Sequence, residues 1–347
     1  MLDEEIKKNI NKCNRCALCV QNCPIYDITK DENNTSRGLI CKLLGFENKA
    51  LTKKEVSKDL KICLNCSKCK TNCPSKINTS YIFAYKNANF SPSKISQRLL
   101  LKTKLFPIKF LYFLNFFKKN QKNTTSKIYY FKGCIAKAQH KATFLDKLFK
   151  NPDFSCCAIP YLSSGDLKNY KKAKKRNIEL IRQSSTVIFD CASCKSAVED
   201  YEELNSEEKS KLIFFTDLLT NKKIKLKENS KFKNKTITLH KSCHLNNQDF
   251  EQIENLLNSI ENISYKQLEN YDSCCGFGGS YFIYHPIIAT KIALKKAKTI
   301  KNSKADLILS VCPSCTMGLR FNQLISLNFK KTLELRDFIH NELIIED

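Results

Sequence analysis

Nineteen cysteines in 347 residues restrict the possible folds of this chain more than any other feature of its sequence. Disulfide frameworks are typical of small secreted domains, whereas residues 1–12 are charged and contain no apolar signal region. An odd number of cysteines also fits a fully paired framework poorly. The sequence therefore predicts that these thiols bind metal, in a cytoplasmic protein.

Eight of the cysteines form two runs of the same spacing, and proline follows each run directly. The first cysteine run is CNRCALCVQNCP at 13–24, and the second is CLNCSKCKTNCP at 63–74. In this bacterial pattern three closely spaced thiolates bind one 4Fe-4S cluster and the fourth cysteine binds the other, whereas zinc favours paired CxxC motifs. We therefore predict cluster one on Cys13, Cys16, Cys19 and Cys73, and cluster two on Cys63, Cys66, Cys69 and Cys23.

The other cysteines, apart from Cys41, form two sets of five that share one order: a single cysteine, an adjacent pair and a CxxC motif. The first cysteine set is Cys134, Cys156, Cys157, Cys191 and Cys194, and the second is Cys243, Cys274, Cys275, Cys312 and Cys315. The same order in two distant segments indicates a tandem duplication.

The sequence between these cysteines repeats as well. Each half is predicted to contain a strand before the single cysteine, a helix after the adjacent pair and a buried strand before the CxxC motif. These elements are 127–131, 168–183 and 186–190 in the first half, and 236–240, 286–301 and 306–311 in the second. Similar apolar segments, 212–219 and 332–339, close the two halves. Cysteines at the carboxyl ends of such strands are expected to meet in the crevice where open α/β sheets bind ligands.

These motifs give the chain a specific resemblance to known iron-sulfur proteins. The two cysteine sets, with CCAIPYLSSGD and CCGFGGS at their adjacent pairs, resemble the CCG (Cys-Cys-Gly) domains of heterodisulfide reductase, glycolate oxidase, lactate-utilisation and anaerobic glycerol-phosphate dehydrogenase subunits. The cysteine runs and the turn at 35–38, TSRG, resemble the helical two-cluster ferredoxin module of fumarate reductase and heterodisulfide reductase subunits. The resemblance implies one or two further, noncubane-type 4Fe-4S clusters, each held by a set of five cysteines.

The resemblance covers nearly the whole chain and implies a multidomain protein of the α+β and α/β classes. We expect a helical two-cluster ferredoxin-like domain over 1–90, a basic hydrophobic helical linker over 91–127, and two tandem α/β CCG domains over 128–225 and 226–347. Lysines and a proline interrupt the apolar linker segment 99–117, so this segment is not expected to span a membrane. Packed linker helices and an interfacial helix at an anionic membrane both remain open.

A few residues depart from these patterns or stand outside them. Ala158 stands where the first Cys-Cys-Gly motif would have its glycine. The backbone tolerates the additional Cβ if φ stays negative. This departure leaves open that a cysteine set, the first more readily than the second, is vestigial or binds zinc. Cys41 is expected to be a small buried apolar residue. His240 and His244 flank Cys243, and His244 is expected to form a structural hydrogen bond with the backbone.

The formal net charge of +25 is concentrated in one stretch, because no Asp or Glu occurs between Asp59 and Asp146. No recognised nucleic-acid module accompanies this charge, so a nucleic-acid partner is not expected. Two explanations of the excess charge stay open: a lysine-rich coding bias, and a docking surface for an acidic partner or lipid headgroups. Peripheral attachment at the inner face of the membrane therefore remains open.

The resemblance and the missing motifs together indicate a function. Neither a P-loop nor a dinucleotide fingerprint is present, although oxidation of a 2-hydroxyacid requires a flavin or nicotinamide. The resemblance implies an oxidoreductase subunit of the glycolate or lactate dehydrogenase type, which passes electrons from a partner flavoprotein through 4Fe-4S clusters to quinone or another acceptor. The alternative is a heterodisulfide-reductase-like enzyme that acts on thiols or disulfides at a noncubane cluster. Retention of all ten cysteines of the two sets favours this alternative.

Overall fold

The N-terminal part of the protein is helical in the computed structural model, which describes residues 3–91, 127–139, 143–278 and 281–346. Residues 39–44 and 53–60 lie in two of its helices. Thr35 and Thr52 accept hydrogen bonds from first-turn N–H groups of these two helices and fix where they begin. In chain order the helices are α1 (Glu4–Asn11), α2 (Leu18–Gln21), α3 (Pro24–Thr29), α4 (Ser36–Glu47), α5 (Lys53–Leu60), α6 (Lys68–Thr71) and α7 (Thr79–Phe90).

Apolar residues bury one face of the longer helices in a small core. Leu39 and Leu43 of α4 are one turn apart and pack in the same cluster as Val56 of α5 and Phe83 of α7. All four side chains are at most 1% exposed. The core supports two loops of equal design, one between α1 and α2 and one between α5 and α6, and each loop contains the start of a cysteine run.

The first α/β unit contains the strands β1 (Ile128–Phe131), β2 (Thr186–Phe189) and β3 (Leu212–Phe214). Within the described residues these strands form a parallel sheet in the order β1-β2-β3. Their continuous apolar runs suit a sheet that is covered on both faces. The helices of this unit are α8 (Cys134–Ala138), α9 (Phe144–Leu148), α10 (Ile159–Ser163), α11 (Leu167–Gln183), α12 (Ala192–Glu199) and α13 (Ser206–Ser210).

The second α/β unit repeats this architecture with one additional strand. Its parallel sheet has the order β6-β5-β7-β8 among the described residues, so β5, β7 and β8 correspond to β1, β2 and β3. The strands are β4 (Lys223–Leu226), β5 (Lys235–His240), β6 (Ile263–Tyr265), β7 (Leu307–Ser310), β8 (Lys331–Glu334) and β9 (Leu343–Glu346). The helices are α14 (Asn247–Ser259), α15 (Tyr281–Tyr284), α16 (Pro286–Asn302), α17 (Pro313–Ile325) and α18 (Leu335–Glu342).

The segment between the two units is tied to the end of the described chain. β4 pairs antiparallel with β9. The expected domain boundary at 225/226 falls inside β4, so the residues on either side of it belong to one strand. The predicted linker helices at 99–117 lie outside the described residues. No helix within the described ranges is long and apolar enough to cross a membrane.

The helical part packs on both α/β units. Ala84 of α7 lies in an apolar cluster with Ala158 of the first unit, and Leu64 lies in another with Cys274 of the second. Two ion pairs accompany these contacts: Lys70 with Asp200 at 2.6 Å, and Lys68 with Asp272 at 2.8 Å. The loop of the second cysteine run is thereby held close to the cysteines of the α/β units.

Candidate metal centres

The two cysteine runs fold into loops of the same shape. Arg15 and Ala17 in the first loop, and Asn65 and Ser67 in the second, have φ values from 54° to 64°. This left-handed region is rarely adopted by residues other than glycine and costs about 1–2 kcal/mol per residue. The strained positions recur at equal distances from the first cysteine of each run, so both backbones curve around their thiols in the same way.

Each loop borders a small cavity that one cysteine of the other run completes. The cluster-one cavity is lined by Cys13, Cys16, Cys19 and Cys73, and the cluster-two cavity by Cys63, Cys66, Cys69 and Cys23. The structure thus brings together each of the two sets of four that the sequence predicts. Cys69 also lines the cluster-one cavity, so the two cavities are adjacent.

Burial of these thiols opposes their ionisation. Desolvation raises the pKa of Cys19 to about 11 and raises the pKa values of Cys63 and Cys66 well above that of an ordinary thiol. Cysteine binds metal as the thiolate, so binding of a cluster would release protons from these sites. The Asn65 N–H donates to Cys63 Sγ at 3.4 Å and would stabilise the resulting negative charge.

The cysteines of each five-membered set meet where the sheet strands end. The single cysteines follow β1 and β5, and the CxxC motifs follow β2 and β7. Cys134 Sγ lies 3.7 Å from Cys156 Sγ in the first set, and Cys275 Sγ lies 3.6 Å from Cys315 Sγ in the second. Two thiolates bound to one tetrahedral metal ion with bonds of about 2.3 Å lie about 3.8 Å apart. The spacing in both sets therefore fits a metal centre.

The two cysteine sets face each other across the interface between the α/β units. Cys191 Sγ of the first set lies 3.9 Å from Cys312 Sγ of the second. The Ser193 hydroxyl lies 3.2 Å from Cys312 Sγ and 3.1 Å from His244 Nδ1. Sequence reasoning missed Ser193 because only the packing of the two units brings it close to Cys312.

A cavity of about 150 Å³ lies between the helical part and both α/β units. Cys66 lines it from the helical part, Cys243 and Cys274 line it from the second unit, and Cys157 lines it from the first. Cys66 also packs against the apolar cluster that contains Cys274. Neighbouring cysteine groups are therefore in contact, and we call this series the row: cluster-one cavity, cluster-two cavity, second cysteine set and first cysteine set.

Three expectations about single residues can be compared with the structure. Ala158 has φ of +66° rather than a negative φ, because it occupies the same turn as Gly276, whose φ is +79°. Cys41 is exposed rather than buried, so that expectation is wrong. The backbone hydrogen bond of His244 is confirmed, since its Nε2 lies 3.0 Å from the Asn65 carbonyl oxygen.

Matches to known protein families agree with this geometry. Residues 9–77 match the 4Fe-4S dicluster domain. Residues 128–199 and 237–320 each match the cysteine-rich CCG domain. The chain belongs to the CCG-domain iron-sulfur proteins. Its matched segments contain both cysteine runs and both cysteine sets, which identifies it as an iron-sulfur electron-transfer protein of the oxidoreductase-subunit type.

Three relatives illustrate the range of proteins to which this CCG protein is similar. "Lactate utilization protein A" of Shouchella clausii is 28% identical over 176 residues, which are 47% of this chain and 73% of that protein. A subunit of the "Dihydromethanophenazine:CoB--CoM heterodisulfide reductase" of Methanosarcina acetivorans is 27% identical over 365 residues, 89% of this chain and 88% of that protein. A subunit of the "Fumarate reductase (CoM/CoB)" of Methanothermobacter marburgensis is 29% identical over 172 residues, 48% of this chain but only 34% of that protein.

The corresponding turns of the two CCG units should respond differently to exchange of alanine and glycine. In Gly276→Ala a Cβ would lie 2.7 Å from the Ala289 carbonyl oxygen at a left-handed φ, so we expect a loss of about 2–4 kcal/mol in the free energy of unfolding. Ala158→Gly removes the strain of an alanine at a left-handed φ, and we expect the free energy of unfolding to rise by at most about 1 kcal/mol. Anaerobic urea unfolding of both variants measures the difference. A Gly276→Ala protein as stable as the parent would contradict the close contact.

Proposed function

We propose that this chain relays electrons from a partner flavoprotein, through two 4Fe-4S clusters and the CCG centres, to quinone or another acceptor. The observation that carries the proposal is the row of four cysteine groups. Cys69 lines both ferredoxin cavities, and Cys66 lines the cluster-two cavity and the cavity beside the second cysteine set. The 3.9 Å contact between Cys191 and Cys312 links the two sets. Bound iron-sulfur clusters supply one-electron redox chemistry at each of these places.

The chain's own residues would bind the clusters and adjust the charge around them. In this proposal the predicted ligand sets apply: the two sets of four cysteines hold cluster one and cluster two, and each set of five holds a noncubane-type cluster. The expected domain limits, 1–90, 128–225 and 226–347 with 91–127 between them, belong to the same proposal. The Thr79 hydroxyl, 2.8 Å from Cys69 Sγ, and the Ser193 hydroxyl near Cys312 would donate hydrogen bonds to thiolates.

A partner protein would carry out the oxidation of the substrate. Two of the three relatives are named as subunits, and the third is named for lactate utilization. We infer a flavoprotein partner that oxidises glycolate or lactate and passes the electrons to this chain. The final acceptor is quinone or another carrier at the inner face of the membrane.

Anaerobic purification of the chain together with its partners tests this function. We expect a flavin-containing protein to copurify, and we expect glycolate or lactate to reduce the clusters of the complex. Absorbance bleaching and electron paramagnetic resonance (EPR) follow the reduction, and D-malate and buffer serve as controls. A complex that contains flavin but whose clusters stay oxidised with both hydroxyacids contradicts the proposed substrates, and a chain without any flavoprotein contradicts the relay.

A second candidate function is reduction of a disulfide at the CCG centres themselves. The relative that aligns with 89% of this chain belongs to a heterodisulfide reductase. The 150 Å³ cavity also borders cysteines of both sets, which gives a small substrate access to them. In this reaction a disulfide would take up two electrons and two protons and yield two thiols, with the electrons supplied through the ferredoxin clusters.

Serine variants of the second cysteine set distinguish the two functions. If the CCG centre is the catalyst, Cys275→Ser and Cys315→Ser should abolish thiol-disulfide turnover and leave the EPR signals of the ferredoxin clusters unchanged. Cys41→Ser is the matched control, because Cys41 is exposed and lies outside all four cysteine groups. Turnover at the parent rate in both set variants would exclude the disulfide reaction at this site.

A further inference from the structure

His240 is a buried histidine without a hydrogen-bond partner among the described residues. It is the last residue of β5 and is 0% exposed, and neither Nδ1 nor Nε2 forms a hydrogen bond. Leaving a buried polar atom unpaired costs about 1–3 kcal/mol, and nearly all such atoms in folded proteins have a partner. The imidazole therefore has room for a binding partner that the described part of the polypeptide does not provide.

The second cysteine set lies directly beside this imidazole. One ring nitrogen of His240 and the sulfurs of Cys275 and Cys315 all lie within 4.8 Å of one another, and all three side chains are buried. A histidine nitrogen and a thiolate on one tetrahedral metal ion lie about 3.6 Å apart. A modest contraction around a metal would thus bring the nitrogen and both sulfurs into one coordination shell.

Among the described residues, no histidine nitrogen lies in the corresponding place beside the first cysteine set. Phe131 occupies the position that corresponds to His240, since each residue ends its strand three positions before the single cysteine. The Phe131 ring stacks on Phe189 with their centroids 4.9 Å apart and belongs to the apolar core. His244 differs from His240, because both nitrogens of His244 already lie within hydrogen-bond distance of protein atoms.

We propose that His240 is a nitrogen ligand of the metal centre held by the second cysteine set. This inference rests on the proposed function, in which that set binds a cluster. The two CCG centres then differ at this position: the second has the imidazole of His240 as a ligand, and the first has the apolar ring of Phe131 in its place. A neutral imidazole adds no negative charge to the centre, and in other iron-sulfur proteins histidine ligation accompanies a higher reduction potential.

Pulsed EPR on the anaerobically purified complex tests the inference without requiring a variant to fold. A redox titration brings the second centre to its paramagnetic state, and Cys275→Ala identifies its signal by loss. We expect a ¹⁴N coupling in this signal that changes to a ¹⁵N coupling in protein grown with ¹⁵N-histidine. His240→Phe, which copies the residue of the first unit, should lose the coupling completely, whereas His244→Gln should retain it.

The possible results separate the inference from the function on which it rests. If the second centre contains metal but shows no histidine coupling, or if the coupling persists in His240→Phe, His240 is not a ligand and the relay proposal is unaffected. If metal analysis finds only the irons of the two ferredoxin clusters, about eight per chain, the proposed CCG clusters and the His240 ligand both fail. Coupling that disappears only with His240 establishes the ligand.

Discussion

Replacing Cys73 with alanine is expected to remove cluster one, although Cys73 belongs to the second cysteine run. Its side chain lines the cavity formed by Cys13, Cys16 and Cys19. Cys23→Ala is expected to remove cluster two, because that side chain lines the opposite cavity. Each variant should lose about four irons per chain and one of the two ferredoxin signals in the EPR spectrum.

Comparison with variants in the other run makes this test decisive. Cys73→Ala should give the same EPR spectrum as Cys16→Ala, and Cys23→Ala the same spectrum as Cys63→Ala. Cys41→Ala, at an exposed position outside the cysteine groups, should retain both signals. If Cys73→Ala matched Cys63→Ala instead, each run would hold its own cluster and the exchange of the fourth ligand would be wrong.

The elements that carry the cysteines could be predicted from the sequence because they follow local patterns. The helix predicted at 168–183 is Leu167–Gln183, and the strand predicted at 306–311 is Leu307–Ser310. The helix has an amphipathic pattern over 17 residues, and the strand is a short, fully buried apolar run; both patterns differ clearly from their surroundings. The sequence does not predict the strand Ile263–Tyr265, since it has only three residues and none of them is fully buried, so its alternation is too short to be distinguished from a loop.

The relations between the cysteine groups could not be predicted, because they depend on packing between distant segments. The sequence indicated four groups but not their order in space, which follows from the contact of Leu64 with the second unit and from the contact of Cys191 with Cys312. The left-handed φ of Ala158 could not be predicted either, because alanine rarely adopts this conformation. The need for a sharp turn beside the adjacent cysteines outweighed that local preference.

The largest effect on stability is expected at the ion-pair cluster between the α/β units. Arg336 of α18 pairs with Asp190 and with Glu334, whose carboxylate is 2.6 Å from the guanidinium. Arg336 is 2% exposed and Asp190 is 3% exposed, and the Tyr130 hydroxyl donates to Asp190. Asp190 directly precedes Cys191, so the cluster fixes the CxxC segment of the first unit against the second.

We expect Arg336→Met to reduce the free energy of unfolding by about 3–5 kcal/mol, because it leaves the Asp190 carboxylate buried without its counter-charge. Arg182→Met is the matched control. Arg182 pairs with Glu208 at 2.7 Å, but its side chain is 54% exposed, so its loss should cost at most about 1 kcal/mol. Anaerobic urea unfolding, followed by circular dichroism, measures both. Equal losses in the two variants would contradict a structural role for the buried cluster.

Removing both charges should restore most of the lost stability, since the cost comes from an unpaired buried charge rather than from a missing contact. In the double variant Asp190→Leu/Arg336→Met two acidic neighbours of the arginine remain, Glu334 and Asp337. Burial raises the pKa of Glu334 to about 7 even beside Arg336, so without the arginine it will bind a proton in the folded state. Folding then takes up a proton, and stability falls as the pH rises. We therefore expect the double variant to be more stable at pH 6 than at pH 8, whereas a pH-independent deficit equal to that of Arg336→Met would show that lost packing, not charge, is responsible.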